Sequence, residues 1–95
     1  MVQQIEDLLN DASSSLASVE DTLTEGYAKA LALEARRLRL ERRLGEVARD
    51  ATPDHADEIR ALGSQLIDAD GELARLRSLL GTLHDRAREL RASAV

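Results

Sequence analysis

The sequence predicts an all-α protein whose chain forms a long antiparallel coiled-coil hairpin of two helices. Three observations support this prediction: two apolar heptad seams, a single proline between them, and blocks of charge that complement each other when the chain folds back. The 95 residues are expected to form one domain. Helix one is predicted at about 2–51, the turn at about 51–53 and helix two at about 53–93.

Apolar residues recur in each half of the chain at alternating intervals of four and three residues. This spacing, kept for more than three heptads, is typical of a coiled coil. Arg37 is the only charged residue in either seam. The first seam consists of Ile5, Leu9, Ala12, Leu16, Val19, Leu23, Gly26, Ala30, Leu33, Arg37, Leu40, Leu44, Val47 and Ala51, and the second of Ile59, Leu62, Leu66, Ala69, Leu73, Leu76, Leu80, Leu83, Ala87, Leu90 and Ala94.

Pro53 marks the predicted start of helix two. Proline is tolerated at the first helical position because its missing N–H would have no partner there. It also disfavours the α conformation at Thr52, which suits that residue as the N-terminal cap. Helix one is therefore expected to end near Asp50 or Ala51.

A reversal at Pro53 would bring together seam residues whose numbers add to about 106. In that register small residues tend to face large ones, as Gly26 faces Leu80, and close packing requires this. The two seams satisfy the register along their whole overlap, which supports a hairpin.

The distribution of charge is an independent test of the reversal. The formal charges are −6 for residues 1–25, +4 for 26–49, −6 for 50–72 and +3 for 73–95. Folding back places each acidic block mostly against a basic one, whereas a parallel in-register pairing would place like charge on like. Such a pattern selects orientation even though single surface pairs contribute little stability.

Helix one contains two weak stretches, at residues 10–15 and 24–26, where Asn, Asp, Ser, Thr and Gly disfavour helix. Because the heptad continues through both, we expect one long helix with a loose N-terminal third. The alternative is a break that gives three helices. In the hairpin register residues 1–10 extend past the end of helix two and should fray.

A second apolar stripe lies off the seams, formed by Tyr27, Leu31 and Leu38 on helix one and Ile67 and Ala74 on helix two. We call these five residues the apolar face. An exposed stripe of this kind usually marks an interface. It predicts a homodimer that forms a four-helix bundle, or less favourably a docking surface for another helical protein. The alternative is that these side chains widen the intramolecular core.

Two glycines, Gly63 and Gly71, stand four residues on either side of Ile67. Each disfavours helix by about 1 kcal/mol relative to alanine, so their position suggests close approach of another helix there. Local kinks are the alternative. The opposite flank of the hairpin is polar and carries Lys29, Arg36, Arg43, Gln65 and Glu72.

Composition argues against catalysis and cofactor binding. The absence of Cys removes thiolate chemistry and disulfides, and neither His55 nor His84 has the Glu-x-x-His spacing of carboxylate-bridged metal bundles. The net charge of −5 disfavours nucleic acid as a partner. Neither a secretory signal nor an apolar run long enough to span a membrane is present, so a soluble cytoplasmic protein without cofactor or metal is expected.

We therefore expect a non-enzymatic structural or adaptor module. One alternative is a regulator that acts through an acidic hairpin tip made by Asp50, Asp54, Asp57 and Glu58. In layout this is similar to transcript-cleavage factors, although no motif of theirs matches. Another alternative is an exported helical hairpin of the Trp-x-Gly secretion type, but the chain has neither Trp nor a Tyr-x-x-x-Asp/Glu motif.

Overall fold

The computed structural model describes residues 1–50 and 53–93, and within these ranges the chain is helical and contains no strand. Helix α1 spans Val2–Asn10, α2 spans Leu16–Arg49 and α3 spans Ala56–Ser93, with a 3-10 turn at Pro53–His55 before α3. The molecule measures 64 × 18 × 14 Å. The predicted cap at Thr52 lies outside the described residues.

The chain breaks between α1 and α2, so the expectation of one continuous first helix is wrong and the three-helix alternative is confirmed at residues 11–15. The carboxylate of Asp11 accepts hydrogen bonds from the backbone N–H of Ser13 at 3.0 Å and from its hydroxyl at 2.6 Å. The hydroxyl of Ser15 caps α2 by accepting from the N–H of Ser18 at 3.1 Å. These side chains hydrogen-bond to backbone N–H groups in a non-helical conformation, which competes with helix formation at residues 11–15. The second weak stretch, 24–26, stays helical.

Helix α1 packs against α3, so the prediction that residues 1–10 fray is wrong. Ile5 is fully buried, and Glu6 forms an ion pair with Arg75. One turn further along α1, Leu9 borders a groove that also contains Arg86 of α3. Residue numbers therefore rise together along α1 and α3, and residues 1–10 form a short third layer at one end of the molecule.

The fully buried part of the core consists of seam residues. Every buried residue of the described chain belongs to one of the two predicted seams, and none of the buried residues is polar or charged. Among the seam residues that the structure describes, two are exposed, Ala12 in the α1–α2 connection and Ile59 near the start of α3. The buried members are Ile5, Val19, Leu23, Gly26, Ala30, Leu33, Val47, Leu62, Ala69, Leu73, Leu76, Leu80, Leu83 and Ala87.

Contacts between α2 and α3 occur in opposite order along the two helices. As the residue number rises along α2, the number of its partner falls along α3. The pairs are Glu20 with Arg91 at 3.4 Å, Gly26 with Leu80, Arg37 with Asp70 at 2.8 Å and Arg43 with Glu58 at 2.7 Å.

Arg37, the charged member of the first seam, is accommodated at the edge of the core. Its Nε lies 2.8 Å from an oxygen of Asp70 on α3 and 3.2 Å from an oxygen of Glu41 on α2. The small side chain of Ala69 is buried in the same region of α3. The guanidinium thus remains half-exposed and paired, so the seam avoids the desolvation of a buried charge.

The close approach of α2 and α3 occurs at Gly26. A Cβ atom placed on Gly26 would lie 2.4 Å from Cδ2 of Leu80, whereas one placed on Gly63 or Gly71 would have no atom within 4 Å. The predicted close approach beside Ile67 is therefore absent within the described chain, and Gly26 is the glycine that the packing requires.

Replacing Ile5 with alanine is expected to lower the free energy of unfolding of the α1 end by about 2 kcal/mol, because it leaves a cavity under a fully buried side chain. Hydrogen exchange of residues 2–10 measures the effect. Gln4→Ala, at an exposed position, is the matched control and should change nothing. Equal protection in Ile5→Ala and wild type would contradict the docking of α1.

Gly26→Leu is expected to lower the free energy of unfolding by about 1–3 kcal/mol, because the new side chain overlaps Leu80. Gly71→Ala should raise it by about 0.5–1 kcal/mol, because the added methyl group meets open space and alanine favours helix. Urea denaturation followed by circular dichroism measures both. A stabilised Gly26→Leu variant would show that the two helices do not approach closely there.

Candidate interaction site

The predicted apolar face is exposed. Tyr27, Leu31, Leu38 and Ile67 retain 47%, 67%, 58% and 72% of their accessible surface, and Ala74 is exposed as well. Isolated exposed leucines are common on protein surfaces, but a contiguous set is not. These side chains therefore do not widen the core of the described chain, which was the alternative interpretation.

A groove of about 470 Å³ lies at one end of this face. Tyr27 and Leu31 of α2 line it from one helix, and Leu80 and Gly81 of α3 line it from the other. The groove exists because Gly81 has no side chain and because no other atom lies within 4 Å of where its Cβ would be. It presents mainly carbon atoms, which suits an apolar side chain of a partner.

Charged residues border the groove. Glu34 and Arg77 form an ion pair across α2 and α3 and line both this groove and the adjoining depression, which also contains Leu38 and Glu41. The shared lining shows that Tyr27, Leu31 and Leu38 belong to one continuous side of the molecule.

The α3 part of the apolar face lies on this same side. Ile67, Ala74 and Gly81 are separated by seven residues, which is nearly two full helical turns, so they share one side of α3. Gly81 lines the groove, and Ala74 and Ile67 follow it along the helix axis. The apolar face thus continues across both helices.

Helix α1 lies on a different side of α3. Its contacts are with Arg75 and the region of Arg86, which are eleven residues apart and therefore lie on one side of the helix. That side is about a third of a turn away from Ala74 and Gly81. The short third helix consequently leaves the apolar face uncovered, as the exposed fractions require.

The acidic tip is held by contacts with two basic side chains. His55 Nε2 lies 3.1 Å from an oxygen of Asp50, and His55 Nδ1 lies 3.5 Å from an oxygen of Glu58. Arg43 donates two hydrogen bonds to Glu58, of 2.7 and 3.1 Å. The hydrogen bonds from Arg43, with a smaller contribution from His55, lower the pKa of the Glu58 carboxyl below its usual value. These contacts connect the end of α2 to the start of α3.

The other two acids of the tip are arranged differently. Asp54 is exposed in the 3-10 turn, and Asp57 is almost fully exposed, with Arg60 at 3.7 Å. Within residues 1–50 and 53–93, no cluster of three or more His, Asp or Glu side chains has the geometry to hold a metal ion. His84 is exposed, and Glu20 pairs with Arg91.

Sequence reasoning missed the docking of α1 onto α3, although the sequence contains a signal for it. Leu8 and Leu9 are adjacent, so α1 has a wider apolar stripe than the predicted seam through Ile5 and Leu9. The side-chain hydroxyls of residues 13–15 then allow a tight reversal. A wide stripe followed by capping residues predicts a short, separately packed helix.

None of the helices in the described part of the chain is both long and apolar enough to cross a membrane. Comparison of the chain with protein-family models, with curated proteins and with solved structures finds no match. The apolar face and the charged groups around it are therefore the features of the molecule that point to a function.

The pKa of Glu58 should rise towards the ordinary glutamate value in Arg43→Gln, because the charged hydrogen bonds are lost. A lowered pKa means that the carboxylate stabilises the fold above the pKa of the unfolded chain and loses this effect as the pH falls through the folded-state pKa. Glu58→Gln should remove that part of the acid-side pH dependence of stability. Carboxyl chemical shifts followed over pH measure the pKa, with Lys29→Gln as control. An unchanged Glu58 pKa in Arg43→Gln would contradict the pairing.

Proposed function

We propose that the chain is a non-enzymatic structural or adaptor module, an antiparallel coiled-coil hairpin that self-associates through its apolar face into a four-helix bundle and binds other proteins in the cytoplasm. The observation that supports this most directly is the exposure of Tyr27, Leu31, Leu38 and Ile67 on one side of the molecule.

The energetics favour covering this face. Full burial of a leucine or isoleucine side chain contributes about 1.5–3 kcal/mol, and each of the large side chains of the face is about half to three-quarters exposed. A second copy would bury two sets of these side chains at once. Two long helices and a nine-residue third helix bury one seam, and bundles of this size commonly gain stability by association.

Self-association is favoured over the alternative of an acidic-tip regulator. At the tip, Asp50 and Glu58 already contact His55, and Glu58 also binds Arg43, so these acids have a structural role in joining α2 to α3. The apolar face has no such internal role, because its side chains point away from the core.

The wild-type protein is expected to be a dimer, and Leu38→Glu/Ile67→Glu is expected to be a folded monomer, because the charges would have to be buried in the interface. Light scattering after size exclusion measures the mass, and circular dichroism checks the helix content. Both residues are largely exposed, so the monomer should remain folded.

Ala32→Glu/Gln65→Glu is the matched control, because it adds the same charge at exposed helical positions outside the apolar face. It should remain a dimer. A monomeric wild type would overturn self-association and make another helical protein the favoured occupant of the face. Loss of the dimer in the control as well would show that charge alone, and not the apolar face, determines the mass.

A further inference from the structure

The apolar face is uneven along its length. One end, the groove end, contains the groove between Tyr27, Leu31 and Gly81. The other end, the protruding end, carries Leu38 and Ile67, with Ile67 the most exposed of the large apolar side chains at 72%. With Gly26 opposite Leu80 as the register, the two ends are about 15–20 Å apart along the helices.

From this asymmetry we infer that two copies of the chain pair antiparallel through their apolar faces, so that Leu38 and Ile67 of each copy enter the groove beside Gly81 of the other. This inference rests on the proposed self-association and specifies its geometry. The arrangement is isologous, since each copy gives one protruding end and receives one, and the two-fold axis passes near the middle of the face.

Shape distinguishes this pairing from the parallel one. In the antiparallel arrangement a protruding end meets a groove end twice, which allows close packing at both places. A parallel arrangement would place the two grooves against each other and the two protruding isoleucines against each other. The first would leave a cavity and the second would hold the helices apart.

The charges on this side of the molecule favour the same pairing. The groove end carries the ion pair of Arg77 with Glu34, which has no net charge. The protruding end carries Arg37 with the two acids Asp70 and Glu41, so this group has an excess of negative charge. Antiparallel pairing places the acidic group of each copy beside the neutral pair of the other. Parallel pairing would place the two acidic groups beside each other, and like charges across an interface oppose association.

One spin label on each copy measures the orientation, and the chain has no cysteine of its own to interfere. Ala56→Cys places the label on the first, exposed residue of α3, far from the apolar face. Antiparallel pairing predicts a distance between labels of about 50 Å by pulsed electron spin resonance, from the rise of 1.5 Å per residue.

A distance under about 25 Å, as expected for neighbouring helices in a parallel bundle, would overturn the antiparallel pairing while leaving self-association intact. A monomeric mass with no distance between labels would overturn the proposed function as well. The two failures are therefore distinguishable in one sample.

A pair of leucine variants tests the groove itself. Gly81→Leu should fill it and raise the dissociation constant of the dimer about tenfold or more, because the incoming side chains then clash. Ala61→Leu is the control, because Ala61 is exposed on α3 and, six residues before Ile67, lies about a third of a turn away from the apolar face. It should leave the dissociation constant, measured by sedimentation equilibrium, within about twofold of wild type. Tighter or unchanged association of Gly81→Leu would overturn the role of the groove.

Discussion

The packing of the α2 seam against the α3 seam is the constraint on which the rest of the structure depends. It is made of leucine, alanine, valine and isoleucine, with one glycine, Gly26, where Leu80 leaves no room for a Cβ. The close approach at Gly26 fixes how the two long helices face each other. That register determines where α1 can dock and which side chains remain on the surface. The ion pairs between the helices lie at the margins of this seam and are exposed.

The helical fold class and the buried positions could be predicted because the heptad spacing leaves few alternatives. Every residue that is buried in the described ranges is a member of a predicted seam, including the small ones such as Ala69 and Ala87. The exposure of the apolar face follows from the same geometry, since positions such as Leu38 point away from a two-helix seam. What could not be predicted from the period is the break at residues 11–15. There the seam continues in phase, but local hydrogen bonds of Asp11 and Ser15 favour a turn.

The break changes what the first ten residues do. In the predicted hairpin register, a continuous helix would have carried Ile5 and Leu9 past Ser93, the last described residue of α3. Folding back places Ile5 in the core and brings Glu6 to Arg75. The loss of helix over five residues is offset by burial of apolar surface that would otherwise be exposed to water. Burial by tertiary packing, rather than the continuity of the heptad, therefore determines the path of the chain.

The side of α3 that α1 occupies also explains why the apolar face stays exposed. A nine-residue helix is about 13 Å long, so it can cover only part of one side of a molecule 64 Å long. It docks where Arg75 and Arg86 are, away from Ala74 and Gly81. The side with the groove therefore has no cover within the described chain. A second copy of the chain has the same uncovered apolar face, so two copies can cover each other's faces.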